Sequence, residues 1–115
     1  MTLDPPLRYT VNMDLANFDK QELERIWGTY PASLLSDTNA CEFHHAMGRG
    51  RKKWRKMHSS KLNAAPLSRK DHMRGDINSI DMRKKLLGMI WDKLKDEPLS
   101  DIDLAFMQKY SHLYC

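Results

Sequence analysis

Ten of the chain's 19 lysines and arginines fall between residues 41 and 76, against three acids, Glu42, Asp71 and Asp76. That segment carries a net charge of +7, and the remainder of the 115 residues sums to −3. Charges at this density cannot be packed into an interior without partners. A charge run of this kind is commonly solvated, and apolar residues at helical spacing lie on either side of it. A positive excess confined to one stretch is also the electrostatic footprint of a polyanion binder.

The flanks supply those apolar residues at helical spacing. Asp19 and Glu22 read as a capping box, with Phe18 and Leu23 as its hydrophobic staple. Leu23, Ile26 and Trp27 then share one face, and Gly28 ends the helix. Ser79 caps a second helix whose face is Ile80, Leu87, Ile90, Trp91 and Leu94, with Pro98 as its stop. Leu99, Ser100, Asp103 and Leu104 repeat the cap-and-staple pattern for a last helix, whose face is Ile102, Ala105, Phe106, Tyr110 and Leu113.

Between the flanks, residues 40–46 read as a short strand, and Gly48 and Gly50 mark a turn. The basic run follows, then a second extended piece over residues 61–68 in which Pro66 argues against a long central strand. Ser68 caps a helix that starts at Arg69 and carries His72. Residues 7–13 are β-prone and suggest an edge strand. The expectation is one α+β domain over residues 1–115. Residues 1–39 support a strand–loop–strand–helix core at 40–78, and 79–115 form a C-terminal helical pair.

Several classes are set aside. No run of about 18 apolar residues exists to span a membrane, and the first residues, with Asp4, Pro5 and Pro6, do not read as a secretory signal. A cytoplasmic protein is expected. Cys41 and Cys115 form no CxxC pair, so no zinc ribbon is expected, and a disulfide between them is disfavoured in that compartment. Cys41 itself reads as a small buried hydrophobe.

Chemistry is suggested by the histidines. His44 and His45 are adjacent, so on a strand they point to opposite faces: one can hold a metal while the other handles a proton. His72 can return to the same ion from its helix. Asp76, one helical turn further, would face the same way. Two imidazoles and a carboxylate leave positions open for water and phosphate. A structural zinc on Cys41, His45, His58 and His72 is the rival metal reading. His58 and His112 otherwise read as surface or satisfied histidines. Trp54, inside RKKWRK, either stacks on a base or anchors the loop.

The order Cys41-Glu-Phe-His44-His45-Ala-Met-Gly48-Arg49-Gly50, then Asn63-Ala-Ala-Pro66-Leu67, then Asp71-His72, resembles the HNH (His-Asn-His) endonucleases. This superfamily includes colicin DNases, homing endonucleases and many phage-encoded nucleases. The resemblance covers residues 41–76. It implies a ββα-metal fold and a divalent ion, Mg²⁺ or Mn²⁺, with Zn²⁺ also fitting the histidines. It further implies hydrolysis of DNA to a 5′-phosphate and a 3′-hydroxyl. His44 and His72 resemble the metal ligands, with Asp76 where some members carry a further ligand. His45 resembles the general base, and Asn63 the asparagine that holds the catalytic loop so that the base is aimed.

Two departures stand out: the loop before Asn63 is long and basic, and zinc-knuckle cysteines are missing. Arg49, Arg51, Lys52, Lys53, Arg55, Lys56, Lys61, Arg69 and Arg74 are the expected contacts to the DNA backbone, with little sequence specificity. By analogy with the family, the setting is phage or mobile-element DNA recombination or processing, in the host cytoplasm. The main alternative is a non-catalytic nucleic-acid-binding protein with a degenerate or structural metal site. A third is a protein–protein adaptor using the C-terminal helices, widened by Leu86 and Met89.

Overall fold

A computed structural model describes residues 17–114. The expected strand at residues 7–13 and the Cys115 half of the disulfide question lie outside the described residues. The chain is a small α+β protein with four α-helices and one two-stranded antiparallel sheet among those residues. In order they are α1 (Lys20–Trp27), β1 (Glu42–His45), β2 (Ala64–Leu67), α2 (Arg69–His72), α3 (Ile80–Leu94) and α4 (Asp101–Lys109). No helix among them is long and apolar enough to cross a membrane.

The helix starts follow the expected caps. Asp19 Oδ1 accepts from the backbone N–H of Gln21 and Glu22, and Gly28 ends α1 at a φ of 86°, which glycine adopts without a Cβ penalty. Ser68, Ser79 and Ser100 each accept from the N–H three residues on. Asp103 closes a full capping box by accepting from the Ser100 N–H.

The two strands pair in one register: Glu42 with Leu67, Phe43 with Pro66, His44 with Ala65 and His45 with Ala64. Pro66 is tolerated because the sheet has only two strands, so a missing N–H need not break a ladder on both sides. Its carbonyl accepts from Leu34 N instead, tying residues 31–40 to the outer side of β2.

The core is built by α3 and α4 against β2. Leu86, Leu87, Ile90 and Leu94 of α3, Phe106 of α4, and Leu62, Ala65 and Leu67 are fully buried. Three expected face residues are outside it: Ile80 is 60% exposed at the first turn of α3, Ala105 is exposed, and Ile102 is half-buried and not part of the core cluster. Met82 and Leu86 take up the stripe instead. Leu86, expected to widen an adaptor surface, is therefore part of the core.

The basic run is not an open loop. It winds through single 3₁₀ turns at Lys52–Trp54 and Met57–Ser59, and a third at Lys61–Asn63 leads into β2. Lys61 is the correction among the expected phosphate contacts. Its side chain is 3% exposed, and its ammonium donates to Asp103 Oδ2 at 2.9 Å and to the Pro98 carbonyl at 2.6 Å. Glu22 stands 3.5 Å away. A lysine this enclosed cannot reach a phosphate; it locks the end of the basic run to α4.

Burial alone would raise the Asp103 carboxyl, but hydrogen bonds from Ser60, the Ser100 backbone and Lys61, with the Lys61 charge, outweigh it and hold the group below its usual range. Removing one partner of a buried pair strands the other charge. Asp103→Ala is expected to cost about 3–5 kcal/mol in urea unfolding, whereas the double variant Asp103→Leu with Lys61→Met should cost markedly less.

Candidate functional site

The site forms where β1 meets the start of α2. On β1, Glu42 and His44 are two residues apart and share a face. Ser68 caps α2 directly after β2, and its single helical turn delivers His72 to that face. The His44 and His72 rings lie with centroids 4.7 Å apart, tilted by 58°. His72 Nδ1 is 3.0 Å from Glu42 Oε1. A carboxylate can only accept, so Nδ1 is the donor in that contact, and in the neutral tautomer it selects, Nε2 carries the lone pair. A carboxylate that orients a histidine in this way is the usual second partner of a metal-bound imidazole.

His44 is buried, and its Nε2 has no hydrogen-bond partner. Buried polar atoms are rarely left in this state, because their lost hydration is not replaced. Burial pushes the imidazole down to about 4, helped by the nearby His72, His45 and Arg83 and opposed by Glu42. His44 is thus neutral at ordinary pH, the form in which histidine binds a metal. An orphaned nitrogen beside a second, carboxylate-oriented imidazole fits a divalent ion. Among the described residues no group of three or more His, Cys, Asp or Glu side chains is arranged to hold one. The protein's own share would be these two nitrogens.

Asp76 does not join them. Helix α2 ends at His72, and the chain turns through residues 74–77 before α3. Asp76 is left exposed, with its carboxylate on Arg74 at 3.1 and 3.2 Å. The expectation failed because it extended a one-turn helix by another turn. Glu42 is the carboxylate at this site, and the two-residue period of the strand from His44 was the signal that could have found it. Arg74, expected at DNA, is bound up in the same exposed pair.

His45 faces away from His44 and stacks on Phe18 just before α1, with ring centroids 4.2 Å apart and planes within 20°. His44, His45 and His72 nonetheless meet around one depression of about 280 Å³, which Glu42, Gly48 and Arg49 also line. It adjoins a groove of about 720 Å³ running along α1, lined in part by the same Glu42, His45 and Arg49.

Asn63 is fully buried behind the depression. Its Oδ1 accepts from Met47 N at 2.7 Å, and its Nδ2 donates to the carbonyls of Gly48 at 3.1 Å and His58 at 2.9 Å. One side chain therefore fixes both ends of the segment that follows His45. His58 completes the tie. Its Nδ1 donates to the Gly48 carbonyl at 2.7 Å, and its Nε2 accepts from the Tyr110 hydroxyl at 2.7 Å. Burial keeps it neutral by lowering its pKa. Gly50 packs so closely that a Cβ there would meet the His58 ring at 2.9 Å. His58 is a satisfied interior histidine, while Cys41 is exposed. The four-residue zinc set that includes both is not assembled, and Cys41 is not the buried hydrophobe expected.

Asp71 anchors the base of α2. It accepts from Ser33 Oγ at 2.6 Å and Ser36 Oγ at 2.7 Å, and those bonds hold its carboxyl below the usual range. Arg49, Arg51, Lys52, Lys53, Arg55, Lys56 and Arg69 are all exposed. Comparison with family models, with curated proteins and with solved structures finds no match for this chain.

Two outcomes follow. A His44 pKa of about 4 in the fold against 6.5 unfolded means the unfolded chain binds more protons between those values. Stability of the metal-free protein should therefore fall as pH drops from 6.5 toward 4, and the fall should be shallower in His44→Gln, read by urea midpoints across that window. Asn63→Ala removes the side-chain partner of the Met47 N–H and of the His58 carbonyl, while the Gly48 carbonyl keeps its bond from His58 Nδ1. At about 1–3 kcal/mol for each group left unsatisfied, it should lower the unfolding free energy by at least about 2 kcal/mol, and Asn63→Asp should not restore it.

Proposed function

We propose that this chain is a divalent-metal-dependent endonuclease of the HNH type, with residues 42–72 as its ββα-metal core and DNA as its substrate. The observation that carries this reading is the neutral, buried His44, whose Nε2 lacks a partner beside the Glu42-held imidazole of His72. The order of the supporting residues matches the resemblance: His45 next to the pair, and Asn63 tying down the loop that follows.

In this reading His44 and His72 hold the ion. When bound, it would polarise the phosphate and stabilise charge on the leaving oxygen. Two nitrogen donors, with Asp76 elsewhere and Glu42 occupied by His72, favour a transition ion such as Zn²⁺, Ni²⁺ or Mn²⁺ over Mg²⁺. His45 accepts a proton from water, and the resulting hydroxide attacks phosphorus in line with the 3′ oxygen. The P–O3′ bond breaks, the 3′ oxygen takes a proton from solvent, and a 5′-phosphate and 3′-hydroxyl result. Phe18 stacked on the His45 ring limits its rotation, so the base is presented in one orientation. Asn63 acts as a positioning residue by holding Met47 and Gly48 just beyond the base. Arg49 at the rim, with the exposed cations of the loop, attracts the phosphate backbone without reading bases.

The test is a cleavage panel of supercoiled, linear, branched and single-stranded DNA against Mg²⁺, Mn²⁺, Ni²⁺ and Zn²⁺. The expected result is cleavage with a transition ion, reduced about a hundredfold or more in His45→Ala with metal and DNA binding retained. Glu42→Gln should weaken metal affinity by about 10–100-fold. Full activity in His45→Ala would overturn the assignment of the base. Binding without cleavage under every ion would leave a non-catalytic nucleic-acid-binding protein.

A further inference from the structure

The basic run meets α4 at Trp54. Lys53, its neighbour in sequence, places its ammonium 5.0 Å from the indole centroid. Lys109, from the last turn of α4, places its own at 4.3 Å. Two cations from separate elements thus share one ring and stand within roughly a Debye length, about 8–10 Å, of each other. Each is attracted to the electron-rich ring face, but the two cations repel, and neither forms an ion pair among the described residues. Among the described residues, Arg51, Lys52, Lys53, Arg55, Lys56 and Lys109 are exposed and none forms an ion pair.

A contrast within the same molecule sharpens the point. Lys93 lies 5.6 Å over Trp27, where the Glu97 carboxylate feels its charge and where Arg25 and Glu97 form an ion pair. There the lysine–tryptophan contact belongs to a balanced surface. At Trp54 the positive charge is left unbalanced.

The arrangement is also held in place. Gly48 beside the histidine depression is bonded to His58, and His58 to Tyr110, one residue after Lys109. The Trp54 cluster therefore keeps a set position relative to the His44–His72 pocket, with the exposed Arg49, Arg51, Lys52 and Lys53 between Gly48 and Trp54 in sequence.

We propose that Trp54 and Lys109 extend the phosphate-binding track of residues 49–56 onto the C-terminal end of α4, so that the ligand is a polynucleotide engaging the pocket and α4 together rather than a single nucleotide or small phosphodiester. Trp54 serves as the platform that brings the two lysines together, and Lys109 contributes one phosphate contact. The inference rests on the nucleic-acid reading above but not on catalysis.

The test measures binding of the full-length protein to short fluorescein-labelled duplex and single-stranded DNA by anisotropy, in EDTA so that no cleavage occurs, over a range of salt. Lys109→Gln is expected to weaken binding several-fold and to reduce the slope of log affinity against log salt by about one contact's worth, ~0.7–0.9. Trp54→Leu should weaken binding in the same direction. Lys93→Gln, which removes the same charge from the balanced face, should change neither quantity appreciably, and circular dichroism confirms that each variant is folded. Equal effects of Lys109→Gln and Lys93→Gln, or no effect of Lys109→Gln, would overturn the proposal. So would wild-type protein that binds no DNA, which sinks the nucleic-acid reading as well. Normal track behaviour with no cleavage under any metal would remove the nuclease reading and leave this one standing.

Discussion

Three hydrogen bonds from the Asn63 side chain organise everything around the histidines. The residues they tie, Met47, Gly48 and His58, belong to the return between two very short strands. A pair of four-residue strands has little intrinsic stability, and its connection carries seven of the chain's 19 lysines and arginines and no acid. With Asn63 buried and every polar atom of its amide used, that connection is fastened at both ends. The direction in which His45 leaves β1 is then set by the interior rather than by the solvated loop.

The same logic extends outward. His58 continues the tie from Gly48 to Tyr110 on α4, and Lys61 adds a second link through Asp103. Asp71 holds the base of α2 to residues 33–36 through two serines. Asn63, His58 and Asp71 use their side-chain polar atoms in these bonds, whereas His44 Nε2 has no partner. Of the four buried side-chain polar atoms that lack a partner among the described residues, His44 Nε2 is the one that belongs to the histidine pair. The site is a hydrogen-bonded frame around a nitrogen that lacks a partner.

Much of the frame could be read from local chemistry. Asp19, Ser68, Ser79 and Ser100 marked their helix starts because a cap needs only the residue and the few N–H groups after it. Gly28 and the strand pair around His44 and Pro66 were visible for similar reasons. The misses involve range. A one-turn α2 that stops at His72 keeps Asp76 away from the site. Nothing near Lys61 in sequence shows that Asp103, 42 residues later, encloses it. Glu42, by contrast, shares a face with His44 through strand spacing alone.

By itself, the sequence determined where helices begin, that two short strands flank a basic connection, and that His44, His45, Asn63 and His72 occur in an order resembling the HNH pattern. Those properties depend on contacts within a few residues or on linear spacing. Only the tertiary structure decided which carboxylate meets His72, which lysine is buried, and that His58 serves the interior. It also decided that Lys109 shares the Trp54 ring with Lys53. Each of these joins residues from elements far apart in the chain, and packing rather than propensity determines which side chains are left with water and which with one another.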